Sequence, residues 1–186
     1  RGRRREPGKL GFASASERRL GPGRIVRPTG RLLEGLEAPG LQRMDAQQIA
    51  GLRDAERLRE QIDEFLVPAL RGEKIAALGV SEPGAGSDVA SLSTSALRDG
   101  DEWVVNGQKV WTSGGHIADM GMLIARTDPD VPKHQGITWF AFDMHQDSAV
   151  DVRPLREMTG RALFNEVFLS EARVGDDAVI GGLHNG

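Results

Sequence analysis

The sequence predicts a mainly β domain with one helical segment in front of it. Three observations lead there. After Gly72 the apolar residues recur at every second position in short runs, the period of half-buried strands. Turn-forming clusters such as Arg98-Asp99-Gly100-Asp101 and Asn106-Gly107 separate those runs. Before Gly72, in contrast, Ile49, Leu52, Leu58, Ile62, Phe65, Leu66 and Leu70 recur near i+3 and i+4, which marks one face of a helix. Many short strands with polar loops between them make a sandwich or a barrel.

Residues 1–44 carry no sustained period, because Gly, Pro and Arg interrupt each apolar run. Ten Arg or Lys against three Glu leave residues 1–35 at +7, and the rest of a chain of net charge −3 at −10. A basic, disordered segment is expected there, with a short helix around residues 32–36. The helical segment spans 45–72. Asp45 is placed to cap it, and Pro68 to end or kink it. The β domain fills 73–186. Strands are expected at 75–80, 91–97 and 102–105. Asn106-Gly107 tolerates positive φ at both residues and predicts a tight hairpin, with 109–113 pairing back on 103–105. Further strands follow at 120–126, 137–143, 150–155 and 165–170, and none is expected in the Gly-rich stretch after them.

The composition narrows the function classes. The 186 residues include no cysteine, so disulfides and cysteine-bound zinc are excluded. The net negative charge argues against nucleic acid as a partner. No apolar run reaches the roughly 18 residues of a membrane helix, and no apolar segment follows the basic start as in a signal peptide. A cytoplasmic protein is the expectation. The four histidines lack metal-ligand spacing, so no metal site is expected.

The stretch GVSEPGAGSD, from Gly79 to Asp88, concentrates glycines, hydroxyls and carboxylates. It lacks the G-x-G-x-x-G spacing of a dinucleotide fold and the G-K-[ST] of a P-loop. Ser87 has no histidine placed to activate it by a known motif. Residue types alone leave the ligand of this loop open.

GVSEPGAGSDVASL (Gly79–Leu92) followed by DGDEWVVNGQKVWTSGG (Asp99–Gly115) resembles the acyl-CoA dehydrogenase family, with its (T/S)-E-P-x-A-G-S-D loop, its N-G-x-K and its W-(I/T)-(T/S). GITWFAFDM and MTGRALFNEVFLSEARV are similar to the strands that follow in that family. The resemblance implies the family's middle-domain β-barrel, with FAD on its face and an acyl-CoA thioester against the flavin. It implies that Leu78, Gly79 and Val80 line the flavin site, and that Ser81 donates to the flavin pyrimidine edge. Ser87 would stand near both cofactor and acyl-CoA. Trp111 would pack against the isoalloxazine, Thr112 would contribute its backbone, and Ser113 would approach N5. Glu82 and Pro83 shape the loop, while Trp103 and Trp139 pack the barrel.

The implied activity is FAD-dependent α,β-dehydrogenation of an acyl-CoA, an oxidation of a CH–CH group in fatty acid metabolism. A carboxylate takes the α proton while the β hydride passes to the flavin. Electrons then leave to an electron-transfer flavoprotein or a similar acceptor, and relatives form homo-oligomers. By the resemblance, the catalytic glutamate belongs to a C-terminal helical domain beyond the end of this chain, so the catalytic residue is expected outside it. Three alternatives stay open: a flavin-dependent monooxygenase or nitroalkane oxidase on the same fold, a non-enzymatic module that binds flavin or acyl-CoA, and a non-functional truncated product.

Overall fold

The computed structural model describes residues 45–186. The expected basic segment and the short helix around 32–36 lie outside the described residues. Helix α1 (Ala46–Gln61) begins directly after Asp45. It runs into one wide π turn over Ile62–Leu66, closed by the Val67 N–H on the Ile62 carbonyl, and then into α2 (Val67–Leu70). Pro68 sits inside α2. Having no N–H, it cannot bond the Glu64 carbonyl, and helix continues for only two residues beyond it. Gln61 fixes the helix to the sheet by donating from Nε2 to the carbonyls of Asp177 and Val179, both at 2.7 Å.

The β domain is a single eight-stranded sheet. Its strands are β1 (Ala76–Gly79), β2 (Ser95–Asp99), β3 (Glu102–Ser113), β4 (Met120–Arg126), β5 (Ile137–Asp143), β6 (Val150–Leu155), β7 (Phe164–Gly175) and β8 (Val179–Ile180). The order across the sheet is β6-β7-β3-β2-β4-β5-β8, with β1 added in parallel to β4. β2 and β4 meet through one pair, Ser95 with Arg126. About that narrow joint the sheet folds over. Trp103, Val105, Val167, Leu169 and Val174 from β3 and β7 pack against Leu123, Ala125, Phe140 and Phe142 from β4 and β5. Trp103 and Phe140 meet with ring centres 5.9 Å apart. Each large apolar side chain buried there contributes about 1.5–3 kcal/mol.

Strands β4, β5 and β6 fall on the residues that the sequence predicts. Four expectations need correction. Asn106-Gly107 is not a hairpin: β3 is continuous through it. The tight turn between β2 and β3 lies at Gly100, where φ is +65°. At Gly107, with φ +155°, the strand instead shifts register against β7. Asn106 Oδ1 accepts the Glu171 N–H at 2.9 Å, so the amide serves a bulge between two long strands. The expected strand 91–97 starts later, because Val89–Ser91 forms a 3₁₀ turn. The expected strand 165–170 runs on to Gly175, through the positive φ of Glu171. Finally, Val179–Ile180 pairs with β5 where no strand was expected.

Candidate functional site

Two motifs that lie far apart in sequence meet in the fold. Lys109 of N-G-Q-K points inward from β3 and donates to Glu82 Oε1 of S-E-P at 2.8 Å and to the Val80 carbonyl at 3.3 Å. The Glu82 carboxylate also accepts the Ser93 N–H at 2.7 Å, the Ser93 hydroxyl at 2.8 Å and the Thr94 N–H at 3.0 Å. The two side chains are only 1% and 4% exposed. Buried charges persist when paired and fully hydrogen-bonded, and this pair is both. The sequence reading gave Glu82 a loop-shaping part but gave Lys109 none. A lysine at an inward-facing strand position was the available signal.

Burial pushes the Glu82 carboxyl up. The hydrogen bonds from Lys109, Thr94 and the Ser93 amide outweigh it and bring the pKa down to about 2. Burial holds the Lys109 ammonium below its ordinary value, against the upward pull of Glu82. The linkage sign follows from the lowered carboxyl. Its stabilising contribution is whole above the ordinary carboxylate pKa of 4.5 and is lost as pH falls through about 2. We expect acid unfolding, followed by fluorescence of the buried Trp103, to have its steepest pH dependence inside that window. Glu82→Gln should flatten it. An unchanged acid limb in that variant would show that another group sets it.

Further along β3, Trp111 has φ +61°, rare for a bulky residue. It lies where the register against β7 shifts between Lys109 and Thr112. The bulge breaks the alternation: Lys109, Val110 and Thr112 are buried, while Trp111 turns out and is 59% exposed. Such a conformation costs on the order of 1–3 kcal/mol and persists only where neighbours hold it. The Val110 N–H donates to the Ser81 carbonyl at 2.9 Å, and Asn165 Nδ2 donates to the Thr112 carbonyl at 2.9 Å. Phe164 of β7 meets the indole edge-on with ring centres 5.8 Å apart.

The Ser81–Val110 bond brings the loop containing Ser81 alongside the Trp111 bulge. Ser81 is half-buried and Ser113 exposed. Leu78 stands beside Met122 of β4, its parallel partner, and both are exposed. Gly79 fits closely: a Cβ there would lie 3.4 Å from Leu123 Cδ1. Val80 packs towards Leu92, Ile124 and Ile137. Thr112 points into the protein, with its hydroxyl unpartnered. Ser87 is exposed on the loop beyond Glu82, and its neighbour Asp88 pairs with Lys133 at 2.6 Å. The structure therefore brings the Ser81 segment alongside Trp111–Ser113, and the neighbour of Ser87, Asp88, joins the loop to Lys133 of the 127–136 loop. Sequence reasoning did not single out the exposed Met122 and Leu163. Leu163 joins the same region by accepting the Gly114 N–H at 3.1 Å. By sequence they read as ordinary strand and loop residues.

The family model for the acyl-CoA dehydrogenase middle domain matches residues 77–171, just over half of the chain. The chain belongs to the acyl-CoA dehydrogenase family. The FadE34 acyl-CoA dehydrogenase of Mycobacterium tuberculosis is 52% identical over 127 residues, which are 68% of this chain and 18% of that protein. A solved steroid acyl-CoA dehydrogenase, Tcur3481-Tcur3483, is 38% identical with a TM-score of 0.65, over 68% of this chain and 33% of that one. A glutaryl-CoA dehydrogenase of Mycobacterium smegmatis, solved in complex with FADH2, is 30% identical with a TM-score of 0.57, over 64% of this chain and 30% of that one. The chain thus spans from under a fifth to a third of the length of these acyl-CoA dehydrogenases. Among its described residues, no helix is long and apolar enough to cross a membrane.

Proposed function

We propose that this chain is the flavin-facing part of an FAD-dependent acyl-CoA dehydrogenase. Residues 73–186 would be the middle domain, and 45–72 the end of a helical domain before it. The observation that carries the reading is Trp111: a large flat side chain, held at φ +61° and 59% exposed, beside Ser81. A core tryptophan has no reason to hold that conformation. A planar ligand that stacks on the indole supplies one.

The residues present fit FAD. Trp111 offers a ring face. Ser81 and Ser113 offer hydroxyls on the flanking segments, and Leu78 offers apolar surface next to Met122. Ser81 would donate to the pyrimidine edge, Ser113 would lie towards N5, and Gly79, Val80 and Thr112 would shape the floor. Bound FAD supplies a two-electron acceptor for a hydride. The chain's part is to orient the acyl thioester, in which Ser87 takes a share, and to exclude water from the stacked face.

The general base is better sought outside the described residues. Glu82 is saturated with hydrogen bonds and too acidic to take a proton near neutral pH. Glu157 is occupied by the Leu163 N–H at 3.1 Å, and Glu166 by Gln108 at 3.0 Å. An acyl-CoA, an electron-transfer flavoprotein and further copies of the chain are the partners this reading calls for. Because a steroid acyl-CoA dehydrogenase is among the similar structures, a steroid-carboxylate CoA thioester is a substrate to assay beside an aliphatic one.

The test is retention of FAD through gel filtration, read from the flavin absorbance. Trp111→Ala is expected to weaken FAD binding about tenfold or more, as loss of an aromatic stacking partner does. Ser81→Ala should weaken it less, by about the worth of one hydrogen bond. A folded protein that retains no FAD, or a Trp111→Ala variant that retains it unchanged, would overturn the reading.

A further inference from the structure

Arg126 ends β4, on the far side of the loop that carries Ser87. Its half-buried guanidinium donates to three carbonyls: Ala90 at 2.6 Å from Nη2, Leu92 at 3.3 Å from Nε and Lys133 at 3.4 Å from Nη1. Its own N–H donates to the Thr94 carbonyl at 2.8 Å. Lys133, whose carbonyl it holds, reaches back with Nζ to Asp88 at 2.6 Å. The Asp88 carbonyl in turn accepts the N–H and hydroxyl of Ser91, at 3.1 and 2.8 Å. A planar fork with five donors spreads rigidly enough to serve three carbonyls on two loops at once, where a lysine offers a single point of attachment.

The other end of the same loop is pinned by Glu82. Its backbone exchanges hydrogen bonds with Ala85 at 2.9 and 3.1 Å, and its carboxylate holds Lys109. Between these anchors the loop is exposed at Gly84, Gly86 and Ser87, and nothing lies within 4 Å of a Cβ built on either glycine. Ala85 before Ser87 and Val89 after it pack on Leu92, Ile124 and Ile137, so the position of Ser87 is set by that packing together with the polar anchors at both ends of the loop.

We propose that Arg126 is a positioning residue. By gripping the carbonyls of Ala90, Leu92 and Lys133, it couples the 127–136 loop to the Ser87 loop and fixes where the Ser87 hydroxyl meets an acyl-CoA. The inference rests on the reading that Ser87 meets that ligand.

The test is a double-substitution cycle on the FAD-loaded protein, with butanoyl-CoA as probe and calorimetry as readout. Ser87→Ala and Arg126→Met are each expected to weaken butanoyl-CoA binding about tenfold. The double variant should bind no more weakly than Ser87→Ala alone, because Arg126 acts through Ser87. If the two losses multiply, Arg126 is merely structural and the proposal fails. If Ser87→Ala alone binds normally, the reading of Ser87 fails and takes the proposal with it. If the unsubstituted protein does not bind butanoyl-CoA, the reading of the whole site fails. Should Arg126→Met not fold, Lys133→Ala removes the exposed partner of Asp88 instead. It should weaken binding about two- to threefold with Ser87 present and not at all in its absence. Equal weakening in both backgrounds overturns the proposal.

Discussion

Lys109→Met is expected to lower the unfolding free energy by about 3 kcal/mol, near the lower end of what breaking a buried ion pair costs. The loss comes less from the attraction removed than from the Glu82 carboxylate left behind at 4% exposure. Three donors, from Ser93 and Thr94, still reach that carboxylate, which keeps the cost from being larger. Glu82→Gln leaves the opposite charge stranded, with only the Val80 carbonyl near it. The double variant, Lys109→Met with Glu82→Gln, should recover part of the loss, because neither charge then remains unpaired. Urea unfolding of the four proteins gives the coupling energy. A coupling near zero would mean that the two motifs are not joined by this pair. The effect should also reach the site, since Glu82 holds Ser93 and Thr94 on one side and Lys109 holds the carbonyl next to Ser81 on the other.

Gly107→Ala is the second large effect, expected at about 3 kcal/mol or more. Its φ is +155°, and a Cβ there would lie 2.7 Å from Thr94 Cα. The obstacle is backbone, and that backbone cannot yield. The Thr94 N–H is on Glu82 at 3.0 Å, and its carbonyl takes the Arg126 N–H at 2.8 Å. Overpacking of 1–3 kcal/mol therefore adds to the backbone strain of a non-glycine residue in that region. Gly51→Ala is the matched control. Nothing lies within 4 Å of its Cβ, and it sits inside α1, so alanine should stabilise by about 0.5–1 kcal/mol. Thermal unfolding distinguishes them: a Gly107→Ala midpoint close to that of the parent would show that Thr94 moves after all.

Local pattern by itself determined much of this domain. β4, β5 and β6 could be placed to the residue because their apolar runs are bounded by turn-forming residues and need no distant partner to define them. The helix before the sheet was legible for the same reason. So was the family, because several short motifs recur in order at fixed separations.

Tertiary structure decided the rest. Positive φ at an Asn-Gly pair serves a hairpin turn and a bulge equally well. Which one forms depended on β7 pairing along the whole of β3 and on Thr94 lying against Gly107. Alternation along β3 could not place Trp111 outward, because the extra residue that re-aims it is counted only against the opposing strand. For Lys109 the sequence offered only an inward-facing strand position, which does not name the partner. Its burial is stable only because Glu82, 27 residues earlier, is folded against it. Arg126 read as the polar end of a strand until three carbonyls from two loops converged on it. In each case the deciding interaction joins residues far apart in the chain, and short-range periodicity carries no record of it.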